Sequence, residues 1–532
     1  MTTPSRRTFI KQIGVGTLGL WALPSLGHPT LAKVSSKVSL PRSTPELQGI
    51  SSAQISTFLD MVATNNAGFH SIMIVRHGHV VAEGWWTPYS STRKHTMYSL
   101  SKSFTSSAVG FAVTEGKLKV EDKVVSFFPD DVPSEISPNL AAMRVKDLLT
   151  MSTGHAADTF TPMRDSVGKS WASVFLSTPV EFEPGTHFLY NSGATYMLSL
   201  IVQKLTGQTV QEYLHPRLFD PLGIEGEDWE KDPNGTVLGA TGLRIKTEDI
   251  AKFGLLYLQK GKFNGKQIIP EAWVTEATSK QVDSAPSNPA QNTNDSDWGQ
   301  GYGYQFWRCT PGGYRGDGAF GQFCIVNPDL DLVIAATSES FDLQQSMRLM
   351  WKHILPGVKA TKLAPAKDHQ AKLKSKLASL VLAAPKGSAT SPTASQLQGK
   401  EFVLDSSEYK VKAVSFALTD KECAVTFKDD NQVSHKVTAG WNQWKENKNE
   451  QTFIPFLAPK RIPVSTPIVA SAFWSDDATL VMTLRYAETA HGDQLSFNFK
   501  DNGVTITMLN SIAKGNPKNP ELRVPVQGKV IA

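Results

Sequence analysis

Between residues 357 and 395 the chain changes character, and this break constrains the fold more than any other feature. Lys, Ala, Pro, Ser and Thr dominate there, as in Lys386-Gly-Ser-Ala-Thr-Ser-Pro-Thr-Ala-Ser395, which predicts a linker holding one helical piece. Ahead of it, helix-spaced apolar segments are mixed with short β-patterned runs. Beyond it, from about Gln396, runs such as Val414-Ser-Phe-Ala-Leu418, Leu480-Val-Met-Thr-Leu-Arg-Tyr486 and Leu495-Ser-Phe-Asn-Phe499 alternate apolar and polar residues. Asp501-Asn-Gly503 between two such runs is a hairpin signal. A chain of 532 residues is also too long for one ordinary core. The expectation is therefore an α+β region over 33–356, the linker over 357–395, and an antiparallel β barrel or sandwich over 396–532.

Residues 1–32 stand apart. Arg6 and Arg7 precede an apolar run from Ile13 to Leu26, and Thr30-Leu-Ala32 ends it with small residues, the pattern of a twin-arginine export signal. Gly14, Gly16, Gly19 and Pro24 interrupt the run, which is short for a membrane span. A periplasmic or otherwise exported protein is expected, cleaved after Ala32, with no transmembrane segment once the signal is removed. The formal charge of +5 falls to +2 when the three cations of this segment are set aside. Neither that balance nor any basic run interleaved with aromatics points to nucleic acid. Three cysteines do not make a disulfide scaffold. Cys309 and Cys324 flank a Gly-rich turn and either pair, leaving Cys423 free, or stay as two buried thiols.

The stretch that carries chemistry is Met97-Tyr-Ser-Leu-Ser-Lys-Ser-Phe-Thr-Ser-Ser-Ala-Val-Gly-Phe-Ala-Val113. If it is helical up to Gly116, Ser99 and Lys102 share one face, one turn apart, with Ser99 at the helix start. Backbone N–H groups are unpaired there and the helix dipole favours negative charge. A serine hydroxyl needs a base, and a desolvated lysine can be neutral often enough to serve. The same spacing recurs at Ser91/Lys94, Ser166/Lys169, Ser407/Lys410 and Ser511/Lys514. Only Ser99 opens a long apolar segment that looks like a buried helix.

Upstream, Ser71-Ile-Met-Ile-Val-Arg-His-Gly-His-Val-Val-Ala-Glu83 predicts two strands turning at His77-Gly78, with His77 and His79 as turn and strand residues and not metal ligands. Val145–His155 predicts a short helix entering a loop, with His155 structural or solvated. Residues 193–205 predict a helix stopped by Gly207, with Tyr190, Asn191 and Ser192 on the connection before it. A tyrosine there can donate, accept or shuttle a proton. Residues 239–275 look helical, with Thr247 as an N-cap. Gly301–Cys309 reads as a strand, and the glycines of 316–321 suit a strand edge that a ligand approaches closely.

The order Ser99-x-x-Lys102, Tyr190 and a Gly-rich edge near 316–322 resembles the serine β-lactamase and penicillin-binding-protein superfamily. Within it, the chain is similar to the class C-related esterases, D-amino-acid peptidases and 6-aminohexanoate-dimer hydrolases. Asp147-Leu-Leu-Thr-Met-Ser-Thr-Gly-His155, Lys252-Phe-Gly-Leu-Leu-Tyr257 and Gly321-Gln-Phe-Cys-Ile-Val-Asn-Pro-Asp-Leu-Asp-Leu-Val333 extend the likeness over roughly residues 43–350. The resemblance implies an antiparallel sheet backed by helices against a helical region, with the site in the groove between them. It implies Ser99 as nucleophile, Lys102 and Tyr190 as general base and acid, and an oxyanion held by the N–H groups of Ser99 and Ala319. No metal or organic cofactor is implied, and the substrate is a small-molecule or peptide acyl compound.

Two departures bear on substrate. The family's second motif is usually Tyr-x-Asn, whereas here it is Tyr190-Asn191-Ser192, leaving open which of Asn191 and Ser192 touches substrate. The third is usually Lys-Thr-Gly or His-Thr-Gly, but Gly316-Asp317-Gly318 aligns with it and supplies no cation. Arg315 is adjacent and is the candidate to compensate. The resulting expectation is a preference for neutral or amine-bearing esters and amides. The rival readings are a β-lactamase or D-alanyl-D-alanine carboxypeptidase, and a non-catalytic penicillin-binding-like sensor. The β domain is expected to pack or cover the site, with cell-wall docking as the other reading.

Overall fold

The structure is a computed structural model and describes residues 38–284, 295–405, 409–447, 466–516 and 518–530. The expected export signal lies outside these residues. The sheet of the first domain begins where the sequence alternation placed it. After helix α1 (Ser52–Thr64), strands β1 (Phe69–Arg76) and β2 (His79–Trp85) pair antiparallel. His77 and Gly78 between them both take positive φ, +48° and +73°, the geometry of a tight hairpin turn. Helices α2 (Ser101–Thr114), α3 (Val145–Leu149), α4 (Ser192–Thr206) and α5 (Thr247–Leu258) follow. The chain then returns to the sheet with β3 (Trp307–Arg308), β4 (Tyr314–Gly318), β5 (Gln322–Asn327) and β6 (Leu332–Ser338). The strand order is β2-β1-β6-β5-β4-β3, antiparallel throughout.

Both faces of this sheet are covered, which explains why β1 is buried along its whole length and apolar from Ile72 to Val75. Ile72 and Ile74 point to the side holding α1 and helix α6 (Leu343–His353), with Phe58, Met347 and Met350. Met73 and Val75 point to the other side, which holds Phe104 of α2 and Phe253 of α5. Gly116, at φ +70°, closes α2 as expected, and Gly207, at φ +69°, closes α4.

Three local expectations are corrected, and the open alternative for the cysteines is resolved. Residues 239–275 are not one helical stretch: α5 is followed by a small hairpin at 262–267 and a helix at Glu271–Thr278. The N-cap of α5 is Lys246, not Thr247, and the Asp249 carboxylate accepts the Lys246 N–H at 3.1 Å. Gly301–Cys309 is mostly irregular, because Gln305 sits at φ +65° and only Trp307–Arg308 pairs as a strand. Cys309, Cys324 and Cys423 are all free and buried.

The compositional break contains helix α7 (Lys367–Ala378), which buries Leu373 in the same cluster as α1 and bridges back through Val381 to Thr87. The remaining strands are β7 (Glu401–Leu404), β8 (Val411–Leu418), β9 (Glu422–Asp429), β10 (Ser434–Trp441), β11 (Lys445–Asn447), β12 (Ile468–Asp476), β13 (Thr479–Tyr486), β14 (Gly492–Lys500), β15 (Gly503–Asn510) and β16 (Val526–Val530). They run β10-β9-β8-β7-β16-β15-β14-β13-β12, and Gly440 and Trp441 of β10 pair with Ser471 and Ala472 of β12 to close the ring. The result is a nine-stranded barrel with β11 added beside β12, and closure removes the open edges a sandwich would leave. Asp501 and Asn502, at φ +50° and +59°, form the expected β14–β15 turn. Among the described residues no helix is long and apolar enough to cross a membrane.

Candidate active site

Ser99 is presented by a short 3-10 turn, Tyr98–Leu100, that feeds α2, so it lies just ahead of the α-helix rather than inside it. The turn is anchored from behind: His95 and Thr96 pair with Ile245 and Arg244, and the Met97 N–H donates to the Leu243 carbonyl at 2.8 Å. Tyr98 has φ +47°, a left-handed conformation that costs a non-glycine residue about 1–3 kcal/mol. This strained residue stands immediately before the serine.

The edge strand β4 presses against this turn. A Cβ at Gly318 would collide with the Met97 carbonyl oxygen, and one at Gly316 would lie 2.5 Å from Leu100 Cδ1 and Ser103 Oγ. These glycines therefore admit the protein's own turn and helix, not primarily a ligand. Ala319, beyond Gly318, is exposed. Its carbonyl accepts from Gln322 Nε2 at 3.0 Å, and Gln322 also holds Ser338. Among the described residues neither the Ser99 nor the Ala319 N–H has a backbone partner.

Lys102 lies in the first turn of α2 and is 1% exposed. Its Nζ is 3.1 Å from Ser99 Oγ, 3.2 Å from Ser192 Oγ and 2.9 Å from the Ala240 carbonyl oxygen. Desolvation lowers its pKa to about 7, against the opposing pull of the Asp158 and Asp317 carboxylates. A carbonyl can only accept, so one amine N–H is committed to Ala240. A neutral amine then keeps a lone pair for the serine proton.

Tyr190 lies beside Ser99, and its ring is 4.9 Å from Lys102 Nζ. Burial, reinforced by Asp317, raises its pKa above the phenol's ordinary value, so it is protonated at neutral pH. Trp307 fixes the ring by stacking on it, 5.5 Å between centroids and 18° between planes.

The residues after Tyr190 separate. Asn191 is fully buried and caps α4: its Oδ1 accepts from Gly193 N at 3.0 Å and from Thr159 N and Oγ1 at 3.2 and 2.9 Å. Its side chain thus belongs to the scaffold and not to the cleft. Ser192 Oγ faces Lys102, and the Ser192 N–H donates to Asp158 Oδ1 at 2.8 Å.

Arg315 does not supply the missing cation. Its side chain is 0% exposed, its Nε donates to Asp317 Oδ2 at 2.9 Å, and its Nη1 donates to the carbonyls of Asp297 and Arg308. His155 is buried against Phe175 with Nδ1 at 2.9 Å from Thr153, and burial lowers its pKa to about 4. These contacts make it a structural residue. Ala240 and Asp158 were not anticipated. A carbonyl has no residue signature, although Gly239 and Gly242, at φ +66° and +87°, mark the tight turn that aims it. Among the described residues no cluster of His, Cys, Asp and Glu is arranged to hold a metal ion.

The Beta-lactamase family model matches residues 62–359, more than half of the 532 residues. A Salmonella agona (strain SL483) protein provisionally named a D-alanyl-D-alanine carboxypeptidase is 26% identical over 188 residues, covering 30% of this chain and 43% of its own length. The chain thus spans less than half of that curated relative. Similar solved structures include an octameric penicillin-binding protein homologue from Pyrococcus abyssi, 16% identical with a TM-score of 0.45, covering 86% of this chain and 99% of that one. Another is a family VIII carboxylesterase, 13% identical with a TM-score of 0.46, covering 59% of this chain and 98% of that one.

Proposed function

This chain belongs to the Beta-lactamase family of serine hydrolases, and from that premise we propose that it hydrolyses ester or amide substrates through a Ser99 acyl-enzyme. The observation that carries the reading is the desolvated Lys102 amine 3.1 Å from Ser99 Oγ, with a pKa lowered to about 7. Lys102 takes the serine proton as the Ser99 oxygen attacks the acyl carbon. Tyr190, protonated and beside Ser99, relays a proton from Lys102 to the leaving group as the tetrahedral intermediate collapses. The N–H groups of Ser99 and Ala319 hold the oxyanion. Water then attacks the ester of Ser99, gives a proton back through Lys102, and releases the acid.

The substrate class follows from the third motif. With Arg315 closed off and paired to Asp317, the cleft offers no cation there for a substrate carboxylate. Neutral or amine-bearing acyl compounds, D-amino-acid peptides among them, fit better than penicillins. The carboxypeptidase name of the Salmonella relative supports peptide bonds as a second substrate class, and the absent cation favours peptides whose C-terminal carboxylate is blocked or distant from the scissile bond. Export through the segment around Arg6-Arg7 belongs to this reading, as does a barrel that packs on the first domain rather than docking to the cell wall.

Steady-state hydrolysis of short-chain p-nitrophenyl esters by the wild type and Ser99→Ala tests the proposal. Turnover abolished in the variant supports it; equal rates in both would refute it.

A further inference from the structure

Two left-handed non-glycine residues flank the proposed reacting groups. Tyr98, at φ +47°, precedes Ser99, and Phe320, at φ +65°, follows Ala319. Their rings meet edge to face with centroids 5.4 Å apart. Both also meet one imidazole edge to face: His491 lies 5.8 Å from the Tyr98 ring and 4.4 Å from the Phe320 ring. His491 does not come from the first domain. It sits in the connection between β13 and β14 of the barrel.

That connection is held on several sides. His491 Nδ1 is 2.9 Å from Glu339 Oε1, and Glu339 also pairs with Arg485 at the base of the same hairpin. The Glu339 N–H donates to the Gly68 carbonyl at 2.8 Å, and the next residue, Ser340, donates its N–H to the Phe320 carbonyl at 2.9 Å. Toward the serine, the Thr96 N–H donates to the Glu488 carbonyl at 3.0 Å. The Tyr89 hydroxyl donates to the Thr489 carbonyl at 2.9 Å, and Arg244 pairs with the Glu488 carboxylate at 3.2 Å. One barrel hairpin thus touches both the turn that presents Ser99 and the turn that presents Ala319.

We propose that His491 is a positioning residue for the reaction: through the rings of Tyr98 and Phe320, the barrel domain holds the Ser99 and Ala319 N–H groups in register. The inference rests on the Ser99 hydrolase reading and gives the C-terminal barrel a part in the catalytic geometry. A left-handed backbone at a bulky residue persists only where its surroundings over-determine it, and the shared imidazole does so for both turns. Loosening it lets two donors drift independently, and misplacement on the order of 1 Å costs about 100-fold in rate.

The test uses the full-length chain with His491→Ala, His491→Phe and Phe320→Gly. Ester kcat and KM are measured beside the second-order rate of fluorophosphonate labelling at Ser99. His491→Ala is expected to lower kcat and labelling about 10- to 100-fold, with KM within about threefold of wild type. His491→Phe, which keeps a ring between Tyr98 and Phe320, recovers most of the loss. Phe320→Gly suits the left-handed backbone, so it folds even where His491→Ala does not, and it is expected to lose rate in the same way. Wild-type kcat and labelling in either folded variant overturn the proposal and leave the hydrolase reading intact. So does a change confined to KM or to thermal stability. A wild-type chain that never labels at Ser99 removes the hydrolase reading, and this inference with it.

Discussion

Arg315 Nε donates to Asp317 Oδ2 at 2.9 Å, and the two side chains are 0% and 6% exposed. The strand position aligned with the third motif therefore holds an internally neutralised pair. Side-by-side kinetics are expected to give a kcat/KM for benzylpenicillin at least about 100-fold below that for a short-chain neutral ester, since a carboxylate would be desolvated without a partner. Comparable values for the two substrates would contradict this.

The same pair makes a stability prediction. Asp317→Ala leaves a fully buried guanidinium without its carboxylate, which is destabilising by about 3–5 kcal/mol. Urea unfolding of the variant measures it. A loss under about 1 kcal/mol would mean that the carbonyls of Asp297 and Arg308 satisfy Arg315 by themselves.

Lys102 sets the pH dependence. Burial lowers its pKa to about 7, and the neutral amine is the base, so kcat/KM rises with pH through an acid limb centred near 7. A pH–rate profile with its limb near the ordinary lysine value of 10.5 would show that Lys102 is not the proton acceptor.

The same group opposes folding. The folded chain resists protonating Lys102 while the unfolded chain does not, so its cost is full below pH 7 and fades as pH rises toward 10.5. Lys102→Met is expected to abolish activity and stabilise the fold by an amount on the order of 1–3 kcal/mol at pH 7, less at pH 10. Denaturant titrations at the two pH values check the sign.

Asn191 and Ser192, adjacent in sequence, are expected to fail differently. Asn191→Ala removes a helix cap and the tether to Thr159, costing about 1–2 kcal/mol of stability. Ser192→Ala removes a hydroxyl 3.2 Å from the Lys102 amine and lowers kcat about tenfold with little change in melting temperature. Melting curves and kcat for both variants separate the two roles.

What was legible in the sequence was what local geometry dictates. Ser99 and Lys102 are three residues apart, so any helical turn brings them to one face, and the apolar run behind them is long enough to demand burial. The β-hairpin turns at His77-Gly78 and Asp501-Asn502 carried their own conformational signals. Asn191 and Ser192 were indistinguishable because their fates depend on where α4 starts: the N-cap turns inward to the backbone, and the next residue faces the cleft. Ala240 acts through a carbonyl that every residue possesses, 138 positions from Lys102. His491 reaches Tyr98 and Phe320 only because a distant barrel hairpin packs there. Gln305 broke the expected strand by adopting a left-handed backbone, and its side chain instead ties α3 to α4 through Leu149 and Thr195.

The most direct measurement is the intact mass of the protein after exposure to a fluorophosphonate probe, with Ser99→Ala alongside. One adduct on the wild type, localised to Ser99 and absent from the variant, is the predicted result. Well-folded wild type without an adduct, or an adduct that persists in Ser99→Ala, would contradict an activated Ser99.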